Sequence, residues 1–205
     1  MDCFFDIRIN YLLGGVKMQN NVKKLTSMGV LIALSVVLVY FIHFPIFPIA
    51  PYLEYDPADI PILIGTFVYG PLAGFIITVV ASIIQGMTVS TGSGWIGIMM
   101  HILATGSFVL VAGNIYKRNH TKKGAVLSLI VGILTMTVTM ILWNLFFTPL
   151  FLGVPMEAVL PLMLPAIIPF NLLKAGVNAV ISYVLYKRVK QFLTGTHEQV
   201  APSKQ

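Results

Sequence analysis

Residues 59–86 read DIPILIGTFVYGPLAGFIITVVASIIQG, an almost unbroken apolar run that is either one tilted helix or two short ones divided at Gly70-Pro71. Proline has no N–H to donate and disfavours helical geometry in the residue before it, so the pair marks a boundary. Charge parity then decides the count. Most Lys and Arg fall in three clusters: Lys17, Lys23 and Lys24; Lys117, Arg118, Lys122 and Lys123; Lys187, Arg188 and Lys190. Short basic loops stay on the cytoplasmic side of a membrane. An undivided helix gives five spans and puts the middle cluster opposite the first. Division gives six spans, 26–44, 59–69, 71–86, 95–116, 124–147 and 165–189, and puts all three clusters on one side. Glu54, Asp56, Asp59 and Glu157 are left outside, with no Lys or Arg in any outer loop.

Working outward, the whole chain agrees with that class. Of 205 residues, 57% are hydrophobic and 10% charged, against about a quarter charged in soluble domains. Apolar stretches of this length have no soluble interior large enough to bury them. The expectation is an all-α polytopic membrane protein, a six-transmembrane-helix bundle with both termini cytoplasmic and the lipid bilayer as its solvent. Residues 1–25 read as an N-terminal tail, 26–190 as the membrane domain and 191–205 as a cytoplasmic C-terminal tail. Residues 1–17 have the character of an over-extended start ahead of Met18, and lack the positive start and cleavage site of a signal peptide. The formal charge of +6 sets orientation by its placement and gives no sign of nucleic acid binding. The second span is short for its task, since eleven residues rise about 17 Å as a helix against a hydrocarbon core of about 30 Å. Residues 155–165 are expected to lie along the outer interface.

Several chemistries are absent. There is no Gly-x-x-x-x-Gly-Lys-Ser/Thr, so the chain does not hydrolyse ATP through a P-loop, and no His-Glu-x-x-His or Gly-x-Ser-x-Gly. Cys3 is the only cysteine, which excludes an intramolecular disulfide and a Cys-based metal cluster. No catalytic or metal-binding residue is expected, and the chain does not read as an enzyme.

The informative residues are polar groups at membrane depth. Apart from Lys187 and Arg188 at the very end of the last span, Lys174 is the only Lys or Arg inside a span, and a lysine at the centre of a membrane helix costs about 2.5–3.5 kcal/mol on insertion scales. It lies roughly 14 Å along its helix from Pro165. Asn171 and Asn178, at i−3 and i+4, share its face, which must look into the bundle. Asn144, His101, Gln85 and Asp59 keep to the same outer half, so the pattern reads as a pocket reached from outside with no polar path on to the cytoplasm. Tyr52, Tyr55, Trp95 and Trp143 supply aromatic walls. Each polar group taken singly also fits a bland role as interhelical glue, and Trp95 an interfacial belt. On the first span Gly29 and Ala33 are four apart, a small-xxx-small face open to another helix.

Six short spans, that small face and the lack of a motor resemble the substrate-binding S components of energy-coupling factor (ECF) vitamin transporters. The stretches EYDPADIP (54–61), Trp143-Asn144 and PFNLLK (169–174) look like the riboflavin-specific members, over about residues 18–193. The resemblance implies capture of riboflavin from outside, as transported ligand rather than cofactor, and translocation with a transmembrane T component and two cytoplasmic ATPases. It implies docking through Gly29 and Ala33, where the family's Ala-x-x-x-Ala departs to Gly and the next step is Val37. Tyr52, Glu54, Tyr55, Trp95, Asn144, Asn171 and Lys174 are the substrate-binding candidates. Asn carries both donor and acceptor for the uracil-like edge of a flavin, Lys174 donates to a ring or ribityl oxygen, and Glu54 accepts from ribityl hydroxyls. Three rivals stand beside this reading: an S component for another vitamin, a proton-coupled secondary transporter with Asp59 and Lys174 as relay, and a structural membrane protein that binds no small molecule.

Overall fold

The computed structural model describes the backbone of residues 2–194 and the side chains of residues 21–186 and 188–190. The rest of the expected C-terminal tail, 195–205, lies outside the described residues. Helix α1 (Asp2–Phe41) is followed by a loop whose ends pair as β1 (Phe44–Pro45) and β2 (Glu54–Tyr55), antiparallel, with Phe44 opposite Tyr55. Then come α2 (Asp59–Tyr69), α3 (Pro71–Thr88), a 3-10 turn (Thr91–Ser93), α4 (Gly94–Arg118) and α5 (Lys122–Leu152). The chain ends with α6 (Met156–Val159), a 3-10 turn (Leu160–Leu162), a π turn (Met163–Ile167) and α7 (Ile168–Thr194).

The deciding stretch breaks where expected. Gly70 adopts φ 94°, a conformation that side chains resist, and Pro71 opens α3 at the position where its missing N–H costs nothing. A one-residue corner therefore folds α3 back along α2: a Cβ on Gly65 would meet Ile77, and one on Gly74 would meet Thr66, positions nearly equidistant from the turn. Five stretches are long and apolar enough to cross a membrane: Asn21–Phe41, Pro71–Thr88, Thr91–Arg118, Lys122–Leu152 and Met156–Tyr186. The eleven-residue α2 is too short to do so by the same measure. It survives by being wrapped in protein, since Asp59 to Phe67 are all buried, so its unprotected ends meet other helices rather than lipid.

Two expected boundaries move. Helix α1 runs back to Asp2, so residues 2–25 continue the first span as helix. Residues 156–167 form turns of α, 3-10 and π helix that lead directly into α7, with Pro161 and Pro165 denying α-helical hydrogen bonds there.

Large side chains such as Val30, Leu34, Leu72, Ile76, Val80, Leu134, Val138 and Phe146 are exposed, while Ser35, Asp59, Ser82, Asn144, Asn171 and Asn178 are buried. A polar interior under an apolar surface suits lipid as solvent. One core holds Leu31, Ile62, Leu63, Phe67, Ile77, Phe108, Leu129 and Met136. A second, Ala50, Leu53, Val159, Met163, Ile167 and Phe170, fixes the 46–53 loop against the start of α7. The basic clusters share one end: Lys24 lies over the Tyr69 ring, Lys190 lies over Tyr186, and Tyr186 meets Tyr116 two residues before Arg118.

Candidate functional site

A cavity opens between the two cores, with about 190 Å³ available to the centres of water-sized spheres. A single water needs about 10–15 Å³ in that measure, so a molecule of many heavy atoms fits. The loop contributes Tyr52, Glu54 and Asp56; α3, α4, α5 and α7 contribute Gln85, His101, Asn144 and Lys174, among others. On α5 the wall includes Met136, Met140, Asn144 and Thr148, spaced four apart so that one helical face presents them together, with Phe147 and Phe151 beside them.

Each carboxamide is aimed by its own helix. Asn144 donates Nδ2 to the Met140 carbonyl at 2.7 Å and accepts Thr148 Oγ1 at 2.7 Å on Oδ1, leaving one N–H. Asn171 donates Nδ2 to the Ile167 carbonyl at 2.7 Å, and its Oδ1 has no protein partner among the described residues. Lys174 Nζ donates to Asp56 Oδ2 at 2.6 Å. That pairing offsets the cost of an ammonium at this depth and leaves two N–H groups for other acceptors.

Beneath this runs a second polar layer. Asp59, fully buried, accepts from Thr105 Oγ1 at 2.6 Å and contacts His101 Nε2 at 3.3 Å on one oxygen, and accepts from Asn178 Nδ2 at 3.0 Å on the other. His101 Nδ1 meets Ser82 Oγ at 2.9 Å. Asn178 also donates to the Asp56 carbonyl at 3.1 Å and accepts from the Tyr55 hydroxyl at 3.0 Å. The loop is thus stitched to α7 at three places in residues 55–56. Burial raises the phenols of Tyr52 and Tyr55 above their ordinary range, and for Tyr55 nearby Asp56 adds to it, so both stay protonated.

Five of the seven binding candidates, Tyr52, Glu54, Asn144, Asn171 and Lys174, meet on the cavity wall. Tyr55 stands behind it, turned to Asn178. Trp95 is 60% exposed and off the cavity wall, its ring edge-on to that of the lining Phe147 at 6.3 Å. The docking candidates Gly29 and Ala33 lie on the exposed face of α1. Sequence reasoning missed Asp56 as the partner of Lys174, which no local spacing signals across 118 residues. It also missed Met136, Met140 and Thr148, which the four-residue spacing to Asn144 could have found. Two buried polar atoms at the cavity lack any partner among the described residues, the Tyr52 hydroxyl and Gln85 Nε2. No cluster of metal-binding side chains occurs among the described residues.

A polar-lined cavity inside an apolar-coated helical bundle is the form of a membrane solute-binding protein, and comparison with known families agrees. Residues 23–186 match the family described as ECF transporter, substrate-specific component. The chain belongs to that family. Similar to this substrate-specific component are the riboflavin transporter RibU of Staphylococcus aureus, 34% identical over 87% of this chain and 95% of the relative, and the riboflavin transporter FmnP of Bacillus subtilis, 28% identical over 84% and 94%. A solved structure, described as the S component of a bacterial ECF transporter, superposes with a TM-score of 0.74 at 32% identity, covering 84% of this chain and 98% of that one. As an ECF substrate-specific component the chain is a multi-pass membrane subunit of a transporter and not an enzyme, in keeping with the missing nucleotide motif.

Proposed function

We propose that this chain is the riboflavin-binding S component of an ECF transporter, capturing the vitamin for uptake driven by a T component and two cytoplasmic ATPases. The observation that carries the reading is the convergence of Asn144, Asn171 and Lys174 in one cavity with Phe147, Phe151, Phe170 and three methionines, in a chain whose relatives described above are named riboflavin transporters. An isoalloxazine ring is flat and uncharged, with one apolar edge and one edge of alternating donors and acceptors. Burying about 200 Å² of its apolar surface contributes about 5 kcal/mol at ~25 cal/mol per Å². The carboxamides and the ammonium match the polar edge. Glu54, the most exposed of the polar lining, suits the hydroxylated chain near the mouth.

In this reading six segments cross the membrane, α2 doing so inside the bundle. The shared basic end faces the cytoplasm together with both termini. The cavity, at the opposite end, then opens outward. A proton relay through Asp59 and Lys174 finds little support, because Ile62, Leu63, Phe67 and Phe108 fill the interior between Asp59 and the basic end.

Protein purified from its native membrane should be yellow, and denaturation should release riboflavin identifiable by mass spectrometry. After flavin is removed, Asn171→Ala should weaken rebinding about tenfold or more, since both its free oxygen and its second N–H are lost. A colourless preparation whose apo form does not quench riboflavin fluorescence would refute the assignment.

A further inference from the structure

We propose that Gln85 contacts the ligand and sets specificity by holding the hydroxylated chain of the bound flavin; the inference rests on the flavin reading above. From sequence Gln85 could be glue between helices, but glue needs a partner on a neighbouring helix. Gln85 is 6% exposed, and its Nε2 has no partner among the described residues although the side chain lines the cavity. A buried amide donor without an acceptor is unfavourable, and such groups in native proteins call for an explanation. A ligand oxygen supplies one.

The surroundings say which part of the ligand. The backbone carbonyl of Gln85 accepts from the backbone N–H groups of Val89 and Ser90 at 2.9 and 2.8 Å, which closes α3 and brings Ser90 to the cavity. Gly86 lies so close to Ile98 that a Cβ there would collide with it, which pins this end of α3 to α4 and fixes where Gln85 stands. Gln85, Ser90 and Ser93 together form an uncharged corner of one amide and two hydroxyls. Asn144, Asn171 and Lys174 belong to α5 and α7, and α4 packs between α3 and α5, so the two polar groups occupy different sides of the cavity. The carboxamide and ammonium side suits the ring's donor and acceptor edge. The amide and hydroxyl corner suits a polyol, whose oxygens accept from Nε2 and whose hydroxyls exchange bonds with serines.

The test titrates the purified full chain with riboflavin and with lumiflavin, which has the same ring but a methyl group in place of the ribityl chain. Gln85→Leu should weaken riboflavin about five- to tenfold and leave lumiflavin within about twofold of wild type. Retained lumiflavin binding also shows that the variant folds. Should Gln85→Leu bind neither ligand, Gln85→Met, closer to the native side chain in length, is read by the same ratio. Riboflavin affinity unchanged in these variants, or both ligands weakened alike in a folded one, overturns the assignment of Gln85 alone. A wild-type protein that binds no flavin removes the flavin reading and this inference with it.

Discussion

Lys174 drew attention because a charge at membrane depth needs a reason, and the structure supplies a structural one beside the functional one. Its ammonium meets Asp56 at 2.6 Å with side-chain exposures of 10% and 17%, so the pair is largely withdrawn from water. Removing one partner of such a pair leaves an uncompensated charge and costs more than removing both. Asp56→Asn should therefore lower the melting temperature of the ligand-free protein in detergent, by the equivalent of about 2–4 kcal/mol. Asp56→Asn combined with Lys174→Met should melt higher than Asp56→Asn alone. Equal melting of the single and double variants would mean that the two side chains do not depend on each other. The same pair helps hold the loop against α7: Asp56 ties it there through its carboxylate, and Asn178 ties it again through the Asp56 carbonyl.

Among elements, the α2–α3 corner carries the fold, and α4 crosses it at Gly113. A Cβ on Gly113 would sit 2.8 Å from Pro71 Cβ, 2.8 Å from Thr66 Cγ2 and 2.9 Å from Pro71 Cα, so helix and corner touch with no room for a side chain at position 113. Backbone cannot step aside as a flexible side chain can, and overpacking of this kind costs about 1–3 kcal/mol. Gly113→Ala should lower the melting temperature of the protein. Gly29→Ala, with nothing within 4 Å of the added Cβ, should hold or raise it through helix propensity, by up to about 1 kcal/mol. The opposite order would put the tight crossing elsewhere. The corner itself was legible because Gly70-Pro71 states its backbone requirement locally, and the bounds of α2 follow from it. The wall formed by Asn144, Asn171 and Lys174 was legible because polar side chains at membrane depth are conspicuous against aliphatic neighbours. What escaped was set by distant partners. Tyr55 turns from the cavity because Asn178 offers it an acceptor, Trp95 stays outside because Phe147 occupies the wall, and the 156–167 segment joins α7 because the loop core packs onto it.

At the scale of the whole molecule, the cavity and the small-residue face of α1 lie on separate surfaces. Among the described residues the cavity is built by the loop, α3, the 91–93 turn, α4, α5 and α7, with none from α1. Helix α1 buries Met28, Leu31, Ser35 and Val39 on one face and leaves Gly29, Val30, Ala33, Leu34 and Val37 exposed on another. Lipid alone gives no reason for small residues on an exposed face, whereas a helix that must approach closely does. If that face receives the T component, a bulky side chain there should separate the two functions. Gly29→Leu and Ala33→Leu should bind riboflavin with unchanged affinity as isolated subunits, because both positions lie away from the cavity. In cells that supply the T component and the ATPases, each should reduce co-purification of the S component with those partners and slow riboflavin uptake, about tenfold or more if the helix–helix contact loses about 1.4 kcal/mol. Uptake and assembly at wild-type levels in both variants would move the docking surface to another helix. Lost flavin binding in the isolated subunit would show instead that α1 supports the cavity from behind.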